Sequence, residues 1–191
     1  MTPIKVIGIV GSPRKGGNTE FLVSEALKAA KGEGAETELI TLAGRKIEPC
    51  DGCRKCRKGE DCWIKDDLME IYKKMKDADG IIIGSPVYFG SATPQVKALI
   101  DRAGYIALSQ GRPFENKVGG PIVVARRAGQ NFTFAQLAYF FFIMGMIIPG
   151  TTYWTVAFGR EKGEAEKDEE GVATVRNFGK KVAWLAGKVK G

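Results

Sequence analysis

The sequence predicts a doubly wound α/β fold built on one five-stranded parallel sheet. Apolar runs of strand length alternate five times with segments of helical spacing along the 191 residues. The runs are continuously apolar, which is typical of parallel strands that are covered by helices on both faces. A chain of this length, with an ordinary hydrophobic and charged content, is expected to form a single domain over residues 1–191.

The first half of the chain supplies three predicted strands and two predicted helices. IKVIGIV is the first strand, and Asn18 and Thr19 then begin an amphipathic helix that ends at Gly32 and Gly34. TELITL is the second strand. After a cysteine-rich segment, DDLMEIYKKMKDAD has apolar residues at helical spacing and acidic residues at its amino terminus, where they favour a helix. GIIIGSPVYFG is the third strand with the loop that follows it.

The second half continues the alternation. TPQVKALIDRAGYIAL is a helix with Pro94 in its first turn, and KVGGPIVVARRAG is the fourth strand with its loop. FTFAQLAYFFFIMGM is predicted to be a buried helix that precedes the fifth strand, GTTYWTVAFG. The acidic, lysine-bearing GREKGEAEKDEEG is predicted to be a solvated loop, and VATVRNFGKKVAWLAGKV is the last helix.

Hydropathy and charge argue against several classes of protein. The most apolar segment, AQLAYFFFIMGMIIPG, is shorter than the roughly 20 residues that span a bilayer and is broken by Gly145 and Pro149. The amino-terminal apolar run is too short for a secretion signal, and clustered thiols favour a reducing cytoplasm. The net charge of +7 is modest, and no nucleic-acid-binding motif accompanies it. We therefore expect a cytoplasmic protein that binds neither membranes nor nucleic acid.

All four cysteines lie in CDGCRKCRKGEDC, within a compact insert expected at residues 47–65. Three cysteines in one C-x2-C-x2-C run are typical ligands of a [4Fe–4S] cluster, and the fourth has enough intervening chain to fold back onto it. Zinc sites more often use separated cysteine pairs or histidine, and this chain has no histidine. Structural zinc and a dithiol switch remain alternatives. The predicted cluster ligands are Cys50, Cys53, Cys56 and Cys62.

Three loops are expected to form a ligand site, because doubly wound folds bind ligands beyond the carboxyl ends of their strands. The first loop, GSPRKGGNT, is neither a Walker A loop nor a G-x-G-x-x-G loop. It offers hydroxyls, an amide, a cation and a helix amino terminus, which together suit one terminal phosphate. The side chains concerned are Ser12, Arg14, Asn18 and Thr19. Alternatively, Gly16 and Gly17 only form a tight turn.

The loops after the third and fourth strands suit a flat ring. Tyr88 and Phe89 lie beside Gly90 in the second loop, where aromatic side chains can stack on a ring and backbone N–H groups can bond to it. The same aromatics can equally cap the core. In the third loop, Arg126 and Arg127 can stack on the ring or stabilise its reduced, anionic form.

GSPRKGGNT followed by GSPVYFGSATPQVKALIDR resembles the flavodoxin-like FMN reductases, and the cysteine segment between them resembles the iron–sulfur flavoproteins of anaerobic archaea and bacteria. The resemblance covers nearly the whole chain. It implies that the phosphate-loop residues bind the phosphate of FMN. It also implies that the second loop contacts the isoalloxazine ring, with Arg126 and Arg127 nearby. The ring contacts implied are Pro86, Val87, Tyr88, Phe89 and Gly90.

These expectations combine into an electron-transfer function. A low-potential donor such as ferredoxin would reduce the cluster, which would reduce FMN, and no catalytic acid or base would be needed from the protein. Basic residues around the cysteines would either recruit an acidic donor or neutralise the cluster. A homo-oligomer is expected, in which the insert meets the aromatic loop of a neighbouring subunit. The alternatives are an NAD(P)H-dependent flavin reductase with structural zinc and a non-enzymatic redox sensor.

Overall fold

The computed structural model describes residues 3–191 and contains a five-stranded sheet in the order β2-β1-β3-β4-β5. Every neighbouring pair of strands is parallel. This order is the flavodoxin-like form of the doubly wound fold, so the predicted fold class is confirmed. The strands are β1 (Lys5–Val10), β2 (Glu36–Thr41), β3 (Gly80–Pro86), β4 (Val118–Ala125) and β5 (Val156–Phe158).

Helices cover both faces of the sheet and bury one apolar cluster on each. Residues of β1 alternate between the two clusters, with Ile7 and Ile9 in one and Val6 and Val10 in the other. The first cluster lies under α2, α3 and α4, and the second lies under α1 and α5. The helices are α1 (Asn18–Gly32), α2 (Leu68–Asp77), α3 (Pro94–Ser109), α4 (Gln130–Ile143) and α5 (Glu169–Lys190).

Helices α1 and α5 pack unusually closely near the middle of each helix. A Cβ on Gly179 would lie 1.9 Å from the carbonyl oxygen of Ala26, so only glycine allows this approach. Beside this contact, the buried Glu25 accepts hydrogen bonds from Lys28 at 2.7 Å and from Arg176 at 2.8 Å. The last helix therefore holds the middle of α1, the helix that follows the predicted phosphate loop.

The fifth strand is much shorter than predicted. GTTYWTVAFG forms a strand only at Val156–Phe158. On the side of β4 that faces β5, the N–H of Val123 donates to the backbone carbonyl of Thr155 at 2.9 Å. The N–H of Gly119 donates to the backbone carbonyl of Ile147 at 3.0 Å. Pro121 lies between them and has no N–H to donate, so the ladder is interrupted and the chain before Thr155 leaves the sheet.

Two further predictions need correction. The helix α4 is not fully buried, because Phe132, Tyr139 and Phe142 expose 77%, 71% and 64% of their surface. The segment predicted as a solvated loop contains a short 3₁₀ helix at Glu164–Lys167, and α5 begins at Glu169. Within residues 3–191, no helix has both the length and the apolar character to cross a membrane.

Candidate functional site

Buried hydrogen bonds join the loops after β1, β3 and β4 at the carboxyl edge of the sheet. The hydroxyl of Thr93 donates to the carbonyl of Gly11 at 2.7 Å, while its N–H donates to the hydroxyl of Ser85 at 3.1 Å. The N–H of Val87 donates to the carbonyl of Val124 at 2.8 Å. Thr93 and Ser85 are completely buried. The three predicted ligand loops are therefore held together by the fold itself.

These loops surround a cavity of about 420 Å³. It brings together the phosphate-loop side chains, part of the aromatic loop and one of the two predicted arginines. Phe89, Gly90 and Arg127 do not line it. The predicted residues that do line the cavity are Ser12, Arg14, Asn18, Thr19, Pro86, Val87, Tyr88 and Arg126.

The amino terminus of α1 points its free N–H groups to this loop. Gly17 precedes the helix in an extended conformation, and in the described part of the chain no side chain caps the helix there. Helices leave their first N–H groups unpaired, and those groups favour an anion. Ser12 and Thr19 are almost fully buried beside them. The loop therefore fits a phosphate group that is approached by backbone N–H groups and hydroxyls.

Asn18 has a different set of contacts from the one expected. Its side-chain amide donates to the carbonyl of Glu161 at 2.9 Å, and its carbonyl oxygen accepts from the N–H of Gly163 at 2.9 Å. Asn18 thus ties the segment after β5 to the phosphate loop. As a result Arg160 and Lys162 line the same cavity. Sequence reasoning missed both, although two glycines around basic residues directly after a strand were a usable signal.

The aromatic loop contains a tight turn with two residues in the left-handed region. Tyr88 and Ser91 exchange backbone hydrogen bonds of 2.8 and 3.0 Å, and between them Phe89 has φ of +49° and Gly90 has φ of +77°. A bulky residue at positive φ is strained, and such strain occurs preferentially at functional sites. Phe89 is also fully exposed. The turn therefore presents an aromatic ring to solvent at the edge of the cavity.

The four cysteines line a second cavity, of about 210 Å³. Cys50 and Cys53 are exposed, Cys56 and Cys62 are partly buried, and all four are free thiols. Within residues 3–191, no three cysteine, histidine or acidic side chains are gathered as they would be around one metal ion. Four cysteine sulfurs around one cavity match the ligand set of a [4Fe–4S] cluster, and four cysteines are also a ligand set of structural zinc.

The thiols influence one another electrostatically. Burial raises the pKa of the Cys56 thiol above its ordinary value, and the neighbouring cysteines Cys53, Cys62 and Cys50 raise it further. Four thiolates at this site would therefore repel one another unless a positive group lies between or beside them. Iron supplies such a group in a cluster.

Arg102 of α3 lines the thiol cavity and was missed by sequence reasoning. It is 2% exposed, and one of its terminal nitrogens donates to the sulfur of Cys62 at 3.2 Å. The guanidinium also binds Asp66 through both terminal nitrogens, at 2.5 and 3.1 Å. Burial lowers the pKa of Arg102, but Asp66 and Cys62 outweigh this and hold it above its ordinary value. The available signal was a charged residue among the buried positions of α3.

Three buried side-chain atoms in the described residues have no hydrogen-bond partner, and they are Gln95 Oε1, Arg102 Nε and Gln130 Oε1. Gln95 lies in the first turn of α3 and Gln130 is the first residue of α4, so both follow the loops of the strand-end cavity. Arg102 belongs to the thiol cavity. Gln95 and Gln130 do not themselves line the strand-end cavity. Buried polar atoms are rarely left unpaired, and a group bound in the thiol cavity would supply a partner for Arg102 Nε.

The fold and the strand-end cavity define the chain as a flavodoxin-like protein. The profile of the NADPH-dependent FMN reductases matches residues 4–161. An iron–sulfur flavoprotein of Methanocaldococcus jannaschii is 46% identical, covering 98% of this chain and 100% of its own. An iron–sulfur flavoprotein of Archaeoglobus fulgidus is 38% identical, and the match covers 97% of this chain and 99% of that protein. The solved structure of an archaeal flavodoxin, 14% identical, superposes with a TM-score of 0.65, and the match covers 98% of this chain and 100% of that chain.

The chain therefore belongs to the NADPH-dependent FMN reductase family, and within it to the iron–sulfur flavoproteins. The resemblance seen in the sequence is confirmed. So is the expectation of an FMN-dependent oxidoreductase.

Proposed function

We propose that this protein transfers electrons from a low-potential donor such as ferredoxin to an acceptor, using FMN and a [4Fe–4S] cluster. The observation that carries the proposal is the pair of separate cavities, one lined by a phosphate loop and the other by four thiols. The names of the iron–sulfur flavoproteins, which match nearly the whole chain, support both cofactors. When bound, the cluster exchanges single electrons and the flavin exchanges one or two.

In this proposal the first cavity holds FMN. Ser12, Thr19 and the free N–H groups of α1 bind its phosphate, and Arg14 adds a positive charge. The loop Pro86–Gly90 contacts the ring, with Phe89 and Gly90 reaching it from the exposed turn. Arg126 lies at the cavity wall, and Arg127 follows it at the rim.

The second cavity holds the cluster, with Cys50, Cys53, Cys56 and Cys62 as ligands. They lie on an irregular segment that packs on α3, so the segment can adapt to the cluster without disturbing the sheet. The short 3₁₀ helix at Lys55–Lys58 carries Cys56. Because the flavin loops are elsewhere, replacing a cysteine with alanine should remove iron while FMN remains bound.

Exposed cations surround the thiol cavity and suit an acidic protein donor. Arg54, Lys55, Arg57 and Lys58 are all exposed, and the Lys55 ammonium lies 4.3 Å from the ring centre of Trp63. Positive charge around a redox centre accelerates association with a negatively charged carrier. Such steering weakens steeply as salt is added, because exposed charges are screened.

The two cavities are well separated along one subunit. Thr93 bonds to Gly11 at the flavin edge, whereas Arg102 at the thiol cavity lies nine residues farther along α3, about 14 Å of helix at 1.5 Å per residue.

An exposed apolar groove of about 600 Å³ continues from the thiol cavity, since Tyr105 lines both. We propose that a second copy of the chain covers this groove and brings its flavin edge towards the cluster.

The experiment that tests the proposed function uses the anaerobically purified protein. We expect stoichiometric FMN, iron and acid-labile sulfide, and reduction by ferredoxin at a rate that falls as ionic strength rises. In the variant with Lys55→Glu and Lys58→Glu, the rate and its salt dependence should both decrease. Lys180→Glu with Lys181→Glu, the same charge change on the opposite face, is the matched control.

Two outcomes would contradict the proposal. Zinc in place of iron and sulfide would favour a flavin reductase with a structural metal site. Intact cofactors without turnover by ferredoxin would favour a redox sensor.

A further inference from the structure

We propose that Arg102 donates N–H···S hydrogen bonds to the metal centre held by the four cysteines and thereby raises its reduction potential. The inference rests on the proposed function, since it requires a cluster at these thiols. It assigns a role to a residue of helix α3, which lies outside the cysteine segment in sequence.

Arg102 is held in place by a buried ion pair. The side chains of Arg102 and Asp66 are 1% and 0% exposed. The guanidinium also donates to the backbone carbonyl of Glu48 at 2.9 Å. It is therefore bound both by Glu48, which precedes the cysteines, and by Asp66, which follows them. A buried charge is costly unless it is paired and hydrogen-bonded. The pair with Asp66 therefore fixes the orientation of the guanidinium and offsets most of the cost of burying it.

One edge of the guanidinium is directed to sulfur. Its terminal nitrogen lies 3.2 Å from Cys62 Sγ, and the side chain lines the cavity shared by the four thiols. Its Nε is buried and has no partner in residues 3–191. An arginine has five N–H donors, and a group with thiolate and sulfide acceptors in this cavity would give the remaining donor a partner.

The contact has a defined electrostatic effect. A cluster with four thiolate ligands gains negative charge when it accepts an electron, so a nearby cation and N–H donors stabilise the reduced form more than the oxidised form. The reduction potential should consequently be higher than it would be without Arg102. If Arg102 served only to attach the cysteine segment to α3, the potential would not depend on it.

Three variants separate these roles. Arg102→Gln removes the charge, and Arg102→Met combined with Asp66→Asn removes both buried charges while keeping an acceptor for the N–H groups of Glu48 and Leu68. Arg45→Gln removes a charge that binds Glu70 at 3.0 Å and does not line the thiol cavity, which makes it the control. In redox titrations followed by electron paramagnetic resonance, we expect Arg102→Gln to shift the cluster equilibrium about tenfold towards oxidation, ~59 mV for one electron. The double variant removes two opposite charges together, so it should shift the equilibrium in the same direction by less, through loss of the N–H···S bonds. A wild-type potential in Arg102→Gln with intact iron, or a potential above that of the wild type in the double variant, would overturn the inference.

A measurement on the chain without any change at Arg102 covers the case in which both variants lose the cluster. The protein is labelled with ¹⁵N-arginine in a background of Arg54→Lys and Arg57→Lys, which removes the other arginines of the cavity. Pulsed electron paramagnetic resonance of the reduced cluster should then show ¹⁵N coupling. Lack of coupling in a protein that contains iron and sulfide would overturn this inference alone. Lack of iron and sulfide from the wild type would overturn the proposed function as well.

Discussion

Thr93 is the residue that connects the loops of the strand-end cavity. It bonds to Gly11 and Ser85, and its hydroxyl also caps α3 by accepting from Val96 at 3.4 Å. Replacing Thr93 with valine keeps the shape and leaves the Gly11 carbonyl unpaired. We expect the free energy of unfolding of the flavin-free protein to fall by about 2 kcal/mol. Urea denaturation measures this, with Ser109→Ala at the other end of α3 as the control.

Phe89 combines strain with full exposure. Asparagine tolerates positive φ better than phenylalanine does, and an exposed ring loses little packing when it is removed. In the flavin-free protein, Phe89→Asn should therefore stabilise the fold by about 0.5–1 kcal/mol. If Phe89 contacts the bound ring, FMN should bind less tightly to the variant. Unchanged affinity in a fluorescence titration would show that Phe89 does not contact the ring.

The residues predicted from sequence and those missed differ in a physical way. That Ser12, Thr19 and the cysteines line cavities could be predicted, because local spacing and a strand-to-helix junction define their surroundings. For Arg102 and Lys162 the sequence holds only a weak signal, because the cavity that each one lines depends on which distant segments pack beside it. Asp66 meets Arg102 across 36 residues, and Asn18 meets Gly163 across 145. Such pairs follow from the tertiary fold and not from local pattern.

The segment after β5 is predicted from the sequence to be a solvated loop, yet two of its cations, Arg160 and Lys162, line the strand-end cavity. Lys162 lies close to Gly16, since a Cβ on that glycine would be 3.0 Å from the Lys162 ammonium. If this segment borders the FMN phosphate, Lys162→Ala should weaken FMN binding by roughly tenfold, about 1.4 kcal/mol, through loss of a charged contact. Riboflavin, which lacks the phosphate, should bind equally well to both proteins. Lys167→Ala, from the same segment, is the control, and an equal loss for riboflavin would contradict the assignment.

The contact between α1 and α5 predicts how stability depends on pH. Burial opposes ionisation of Glu25, but hydrogen bonds and charges from Lys28 and Arg176 outweigh it, so its pKa lies below the ordinary 4.5. Because the folded pKa is the lower one, Glu25 stabilises the fold above about pH 4.5. That contribution is lost as the pH falls through the folded pKa. Glu25→Gln should lower stability at pH 7 by about 1–2 kcal/mol and flatten the decline in acid. An unchanged acid profile in chemical denaturation would contradict this.

At the scale of elements, the alternation of strands and helices and most helix bounds followed from periodicity, whereas the length of the fifth strand and the burial of α4 did not. The apolar content of the fifth strand predicted a longer element than Pro121 of β4 allows. The helix α4 is apolar on all sides, which is typical of a buried helix, yet one side is exposed in the single chain. The exposed apolar side of α4 therefore raises the question of what covers it in the assembled protein.

The exposed side of α4 leads to a prediction about assembly. If a second copy covers it, Tyr139→Glu combined with Phe142→Glu should convert the oligomer to monomers, because buried carboxylates without partners are costly. Trp184→Glu, which changes an exposed aromatic residue on α5, should leave the assembly intact. Sedimentation velocity measures both. A wild-type protein that is already monomeric, with full cluster-to-flavin electron transfer, would contradict the proposed assembly.

One chain is proposed to hold a [4Fe–4S] cluster and FMN that exchange electrons. An anaerobic reductive titration, followed by visible absorption and electron paramagnetic resonance in the same samples, tests it most directly. We expect three electrons per subunit at completion, one for the cluster and two for the flavin, with the signal of a reduced [4Fe–4S] cluster. Uptake of only two electrons, with flavin bleaching and no cluster signal, would contradict the claim.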